Sequence, residues 1–291
     1  MHAITTHLRT LARCIAVVAA CRMAGATAAT PVPLRPTPEA AVQRIDDYAA
    51  ALEAARAGGA MLLVSVEPRS GDQADVAGQM LERPDVQRRF AGSGAPWIFC
   101  RLGMDGGGAA VAADPGLAEM RRGPGVFVVD HTHPEYAGRV VSILPRTAGK
   151  YYRFAPEHVG ELADLPAGSL TQRSLVLAVR IHPEGPQSTT GTCDPGLSAA
   201  AAAHSAHQAR IRRQGHHGWD TRSRQLGGSA AEVCAESWPN QDLLDSCVDC
   251  VASWRQSSGH WNAVRSPQAA YGYDIRRGSN GIWYATGIFR R

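Results

Sequence analysis

The chain has 291 residues, of which 44% are hydrophobic and 19% are charged. These proportions are typical of a globular protein with a buried core, and the length favours two domains over one. The formal net charge is only +4, almost all basic residues are arginines and no dense basic run occurs, so nucleic acid is not an expected partner.

Residues 1–29 have the pattern of an export signal. Arg9 and Arg13 precede a short apolar run at 14–20, which is too short to span a bilayer. Two kinds of processing stay open. Cys21 stands where a bacterial lipoprotein signal receives its lipid, and the small residues at 24–29 fit ordinary cleavage. We expect a protein of the periplasm, cell envelope or extracellular space, whose only membrane contact would be a lipid at Cys21.

Residues 30–38 contain four prolines and predict a linker, because proline fixes φ and lacks an N–H donor. A helical period follows at 39–56, with Val42, Ile45 and Leu52 on one side. The glycines at 58–59 end that predicted helix.

Four apolar runs then predict strands, at 61–66, 97–102, 123–130 and 138–144, and predicted helices lie before residue 90 and at 158–165. Strand, helix, strand, hairpin and helix make an α/β layer pattern. Over residues 39–165 this order resembles a thioredoxin-like domain, in which Gly123-Pro124 would hold the place of the cis-proline. That resemblance implies an α/β fold.

The chemistry of that fold is missing from the sequence. Residues 69–73 read Arg-Ser-Gly-Asp-Gln where a Cys-x-x-Cys pair would stand, so we expect no redox activity there. Cys100, inside a predicted strand, is interpreted as a core residue. We therefore expect a scaffold or binding module.

The last third predicts three helices and a closing hairpin. The helices cover 170–182, the segment between the N-cap Asp194 and Gly215, and 240–255; the hairpin covers 270–289. On the second helix His204 falls on the apolar face, so we interpret it as a hydrogen-bonded core histidine.

Imidazoles and carboxylates recur around these elements. His216, His217, Glu236 and His260 are the predicted cleft residues, and His216, Glu236 and His260 could hold a divalent cation such as zinc. A hydrogen-bonded polar network is the alternative. Only one of His216 and His217 can enter a cleft, and we favour His216. Glu232 lies four residues before Glu236 on the same strand face and could replace it.

Three cysteines lie near this region. In an exported protein we expect one disulfide between Cys234 and either Cys247 or Cys250. A Cys-x-x-Cys redox pair at 247–250 and a zinc site of three cysteines and a histidine are the alternatives.

Residues 170–291 resemble a CAP domain, the family of cysteine-rich secretory proteins, antigen five and plant pathogenesis-related proteins (also called SCP), and bacterial members in particular. The motifs that carry the resemblance occur in the family's order: Arg180 in a first helix, His204 in a second, His216 or His217 in a loop, Ala235-Glu236-Ser237, Ser253-Trp254, Gly259-His260 and the closing hairpin. The resemblance implies an α-β-α sandwich (an α+β fold) with a cleft lined by two histidines and two acidic residues. The second acidic residue is missing, since 255–258 reads Arg-Gln-Ser-Ser.

The expected function is therefore that of an exported CAP-domain protein that binds a small molecule, lipid or protein in its His/Glu cleft, with or without a divalent cation. The alternative is a metal-dependent hydrolase that uses the same cleft. Covalent catalysis has no support, because no nucleophile with a matching partner stands out.

Overall fold

The structure of the protein is a computed structural model that describes residues 42–69, 75–122, 124–145 and 151–291. The described residues belong to one compact unit. The predicted export signal, lipidation site, linker and Gly123 lie outside the described residues. None of the described helices combines the length and the apolar character that crossing a membrane requires.

The described chain is a mixed α/β structure with two sheets and helices packed on them. Its strands are β1 Gln43–Arg44, β2 Met61–Glu67, β3 Trp97–Gly103, β4 Gly125–Asp130, β5 Arg139–Pro145, β6 Thr192–Cys193, β7 Ala230–Glu236, β8 Ala270–Arg277 and β9 Trp283–Arg290. Its α-helices are α1 Tyr48–Gly58, α2 Val76–Leu81, α3 Pro84–Gly92, α4 Gly107–Ala112, α5 Leu170–Arg180, α6 Pro195–Ile211, α7 Trp219–Gln225, α8 Leu243–Gln256 and α9 Ser258–Arg265. Three 3-10 segments cover Pro115–Arg122, Pro134–Tyr136 and Pro156–Asp164.

The first sheet has the strand order β1-β3-β2-β4-β5. Strands β2 and β3 are parallel, and β4 pairs antiparallel with both β2 and β5. The four strands predicted from apolar runs all form, and the segment at 156–164 is a 3-10 rather than an α-helix. Cys100 is fully buried and burial raises its pKa to about 12, which confirms it as an inert core residue.

The helix predicted at 39–56 is wrong in its first half. Gln43–Arg44 instead pairs parallel with β3, and the helix begins at Tyr48. Asp47 is the reason, because its backbone is extended and its carboxylate accepts the Ala50 N–H at 2.8 Å as an N-cap. Val42 and Ile45 are therefore spaced as on a helix but lie outside it.

The second sheet has the order β6-β8-β9-β7 and lies between helices. Helix α6 begins as predicted at Pro195, with the Asp194 carboxylate accepting the Leu197 N–H at 2.8 Å. On one face of the sheet, Ser205 of α6 donates to the buried Asp274 of β8. On the other face, Tyr273 of β8 packs against Trp254 of α8. The predicted helices and hairpin of this region all form.

Helix α5 contacts both sheets: Thr171 donates to Asp274 of β8 at 2.6 Å, and a buried arginine bonds to the first sheet. Arg173 donates from Nε to Ser142 Oγ of β5 at 2.8 Å and from Nη1 to the carbonyl oxygen of Leu165 at 3.0 Å. Burial lowers its pKa to about 10. One hydrophobic core runs from the first sheet through α5 to the second.

Gly272 sets the distance between α6 and the sheet, and we expect Gly272→Ala to destabilise the fold by about 3 kcal/mol. A Cβ there would lie 2.3 Å from the Leu197 carbonyl carbon and the Ser198 nitrogen, which are backbone atoms that cannot move aside. Urea unfolding of both proteins measures the difference. Gly92→Ala is the matched control, because nothing lies within 4 Å of its Cβ position, and it should change stability by no more than about 1 kcal/mol.

Candidate functional site

The site forms where β7 meets helix α6 and the loop that follows it. Cys234 of β7 pairs with Thr286 of β9, and Thr286 Oγ1 accepts a hydrogen bond from Gln208 Nε2 of α6. Alternate residues of a strand share one face, so Glu232 and Cys234 both face α6. The Gln208 amide oxygen accepts the Gly215 N–H at 3.0 Å, which fixes the loop that carries His216.

Glu232 is the central charge of the site, and its side chain is fully buried. Its Oε2 accepts from Arg222 Nη2 at 2.5 Å and Nε at 3.0 Å, while Oε1 accepts from His216 Nδ1 at 3.0 Å. Burial alone would raise the pKa of Glu232, but the hydrogen bonds from His216 and Arg222 outweigh it and hold the pKa below its usual value. Glu232 is therefore a carboxylate at neutral pH.

His216 and His260 form an imidazole pair at the surface. Because a carboxylate can only accept, His216 donates from Nδ1, and in the neutral ring Nε2 then carries a lone pair. That nitrogen lies 3.3 Å from His260 Nε2, near the start of α9. Burial, followed by the neighbouring His216, lowers the pKa of His260, so His260 is neutral at pH 7. The pair brings two ring nitrogens together at one point, and 43% of the His216 side chain is exposed.

His204 lies beneath this pair, on α6. It is 2% exposed, and its Nε2 donates to the carbonyl oxygen of Gly215 at 2.8 Å. The prediction of a hydrogen-bonded core histidine is thus confirmed. The same nitrogen is 3.8 Å from Glu232 Oε1, so His204 also borders the site.

The other two predicted cleft residues lie elsewhere. His217 turns away from the pair, with its ring 6.1 Å from that of His207. Glu236 is exposed at the end of β7, about 13 Å along the strand from Glu232. In the described chain no hydrogen bond or ion pair joins Glu236 to an imidazole, and the carboxylate that contacts His216 is Glu232.

The expected disulfide is absent, and the five cysteines of the described residues are free thiols. Cys247 and Cys250 are fully buried in α8, and burial raises the pKa of both thiols. Cys234 instead faces the site, with Sγ 3.7 Å from His216 Nδ1. Redox exchange requires an accessible thiolate, and burial together with the raised pKa disfavours one at either position.

Sequence reasoning also missed Arg222. The bonds from Arg222 to Glu232 depend on α7, a short helix that places the arginine beside β7. There Arg222 Nη1 also donates to the His217 carbonyl oxygen at 3.1 Å. No local signal distinguishes Arg222 from its neighbour Arg224, because the distinction is the position of Glu232 in space.

No protein-family model matches the chain, and no curated protein matches it either.

Glu232→Gln should lower the free energy of unfolding at pH 7 by roughly 2–4 kcal/mol, because Arg222 would lose its buried counter-charge. The folded-state pKa of Glu232 is lowered, so this stabilisation is present above the ordinary value of 4.5 and is lost as the pH falls below it. The difference in the free energy of unfolding between wild type and variant, measured by urea unfolding, should therefore be smaller at pH 4 than at pH 7.

Glu236→Gln is the matched control for that measurement, on the same strand and the same face. Its exposed carboxylate predicts a change within about 0.5 kcal/mol at either pH. Equal losses in the two variants would contradict the central position of Glu232.

Proposed function

We propose that this chain is an exported CAP-domain protein that binds a ligand in the groove beside His216 and His260, through a divalent cation held by these two imidazoles. The observation that carries the proposal is the Nε2–Nε2 separation of 3.3 Å. Zinc–nitrogen bonds of 2.0–2.1 Å place two tetrahedral ligands about 3.3 Å apart, so the pair matches a zinc-binding edge.

The surroundings of the pair support the same conclusion. Glu232 accepts from His216 Nδ1 at 3.0 Å, which orients the ring and leaves Nε2 free to coordinate, as outer carboxylates do at many metal sites. The lowered pKa of His260 keeps that ring in the neutral form that binds metals. With two protein nitrogens, a bound cation would supply positive charge and open positions for a ligand.

The same contacts favour binding over hydrolysis. A hydrolase of this kind needs a carboxylate that is free to take a proton from water. Both oxygens of Glu232 are engaged, by Arg222 and by His216, and its lowered pKa makes it a weak base. Burial raises the pKa of the Cys234 thiol far above neutral, so it is not a nucleophile.

The fold supports the family assignments in this proposal. The longer elements of residues 170–291 (α5, α6, β7, α8 and the β8–β9 hairpin) occur in the order expected of a CAP domain, with β6, α7 and α9 as shorter elements between them. Helices lie on both faces of the second sheet. The first sheet has parallel central strands and an antiparallel hairpin, which suits a thioredoxin-like scaffold without redox chemistry. Export rests on the pattern of residues 1–29.

Zinc titration by calorimetry tests the cation. Cys234→Ser, used as the reference so that no sulfur ligand contributes, should bind one zinc ion at the pair, and adding His260→Ala or His216→Ala should abolish that binding, because each removes one of its two nitrogens. Glu232→Gln should weaken it by roughly 10–100-fold through loss of the partner that orients His216.

His207→Ala provides the control, since His207 is an imidazole of the same region that does not touch the pair. Added to the Cys234→Ser reference, it should leave the zinc affinity unchanged. A reference protein without stoichiometric zinc binding, or binding that survives the addition of His260→Ala and of His216→Ala alike, would contradict the proposal.

A further inference from the structure

Beneath the imidazole pair lies a second set of donor atoms, which we call the thiol cluster: His204, Glu232 and Cys234. We infer that the thiol cluster is a separate metal site for a thiophilic divalent cation, with His216 Nδ1 as its fourth ligand. The three donor atoms of the cluster lie within 4.8 Å of one another.

The measured separations are close to those between ligands of one ion. His216 Nδ1 is 3.7 Å from Cys234 Sγ and 3.0 Å from Glu232 Oε1, and His204 Nε2 is 3.8 Å from the same oxygen. Tetrahedral zinc, with bonds of about 2.0–2.3 Å, needs edges of about 3.4 Å between nitrogen and oxygen and about 3.6 Å between nitrogen and sulfur. Since the donor atoms of the cluster all lie within 4.8 Å of one another, they have to approach one another by no more than roughly 1 Å to hold an ion.

Proton positions must change for this site to load. His204 Nε2 donates to the Gly215 carbonyl oxygen at 2.8 Å, so coordination moves the ring proton to Nδ1 and breaks that bond. The His216 proton moves from Nδ1 to Nε2, from which it can be donated to His260 Nε2 at 3.3 Å. The Cys234 thiol proton is released to solvent. Glu232 Oε2 keeps its bonds to Arg222 throughout.

The ligand set determines which ions fit. The Cys234 thiolate adds a second negative charge to that of Glu232, which also pairs with Arg222, and a sulfur donor selects zinc or cadmium over magnesium or calcium. The interior position, with His204 and Cys234 each 2% exposed, gives a closed site, in contrast to the exposed imidazole pair. His216 would bind the buried ion through Nδ1, with its ring proton on Nε2, and a surface ion through Nε2, with its ring proton on Nδ1.

Cobalt(II) titration of the full chain under reducing conditions tests the inference, because cobalt bound to a thiolate gives a near-ultraviolet charge-transfer band that imidazole ligands do not give. We expect the band in the wild type and its complete loss in Cys234→Ser. His260→Ala should retain it, which separates the thiol cluster from the imidazole pair of the proposed function. Cys193→Ser, which removes a half-buried thiol outside the cluster, should retain it as well.

His204→Gln covers the case in which Cys234→Ser does not fold, since the amide can still donate to Gly215. Because even outer partners change metal affinity 10–100-fold, loss of this direct ligand should raise the cobalt concentration at half-saturation at least about tenfold. A wild type without the band, a band that persists in Cys234→Ser, a band lost in His260→Ala, or an unchanged midpoint in His204→Gln would each overturn the inference.

Discussion

The ionised, fully buried Glu232 is the constraint on which the site depends. A buried carboxylate is strongly unfavourable unless charged and hydrogen-bonding partners surround it. Here the partners come from two other parts of the chain: Arg222 from α7 and His216 from the loop after α6. Satisfying this one charge therefore holds the loop, the short helix and the strand together.

The consequences of this arrangement reach the surface and the interior in different ways. Towards solvent, the bond from His216 Nδ1 to Glu232 determines the tautomer that aims Nε2 at His260. Towards the core, the same carboxylate brings His204 and Cys234 near one another under α6. A single acidic residue thus organises two sets of donor atoms, which is why we interpret the region as a binding site rather than as packing.

The architecture could be predicted largely from the sequence, because its signals are local. The apolar runs at β2 to β5, the Asp194-Pro195 start of α6 and the closing hairpin all depend on residues close together in the chain. Two predictions from local pattern were wrong. The first helix was expected from residue 39 but begins at Tyr48, after the N-cap Asp47, and the helix expected at 158–165 is a 3-10 segment that begins at Pro156. In both cases the geometry of a cap or turn outweighed the helical spacing of apolar residues.

The candidate site, too, could be predicted in part from the sequence. By itself the sequence determined which residue types could meet, namely the imidazoles of His216 and His260 and a carboxylate on one face of β7. Only the tertiary structure decided between Glu232 and Glu236, turned His217 away, and supplied Arg222. Residues four apart on a strand share a face but lie about 13 Å apart, and which of them meets a distant loop depends on strand register, which is set by long-range pairing with β9.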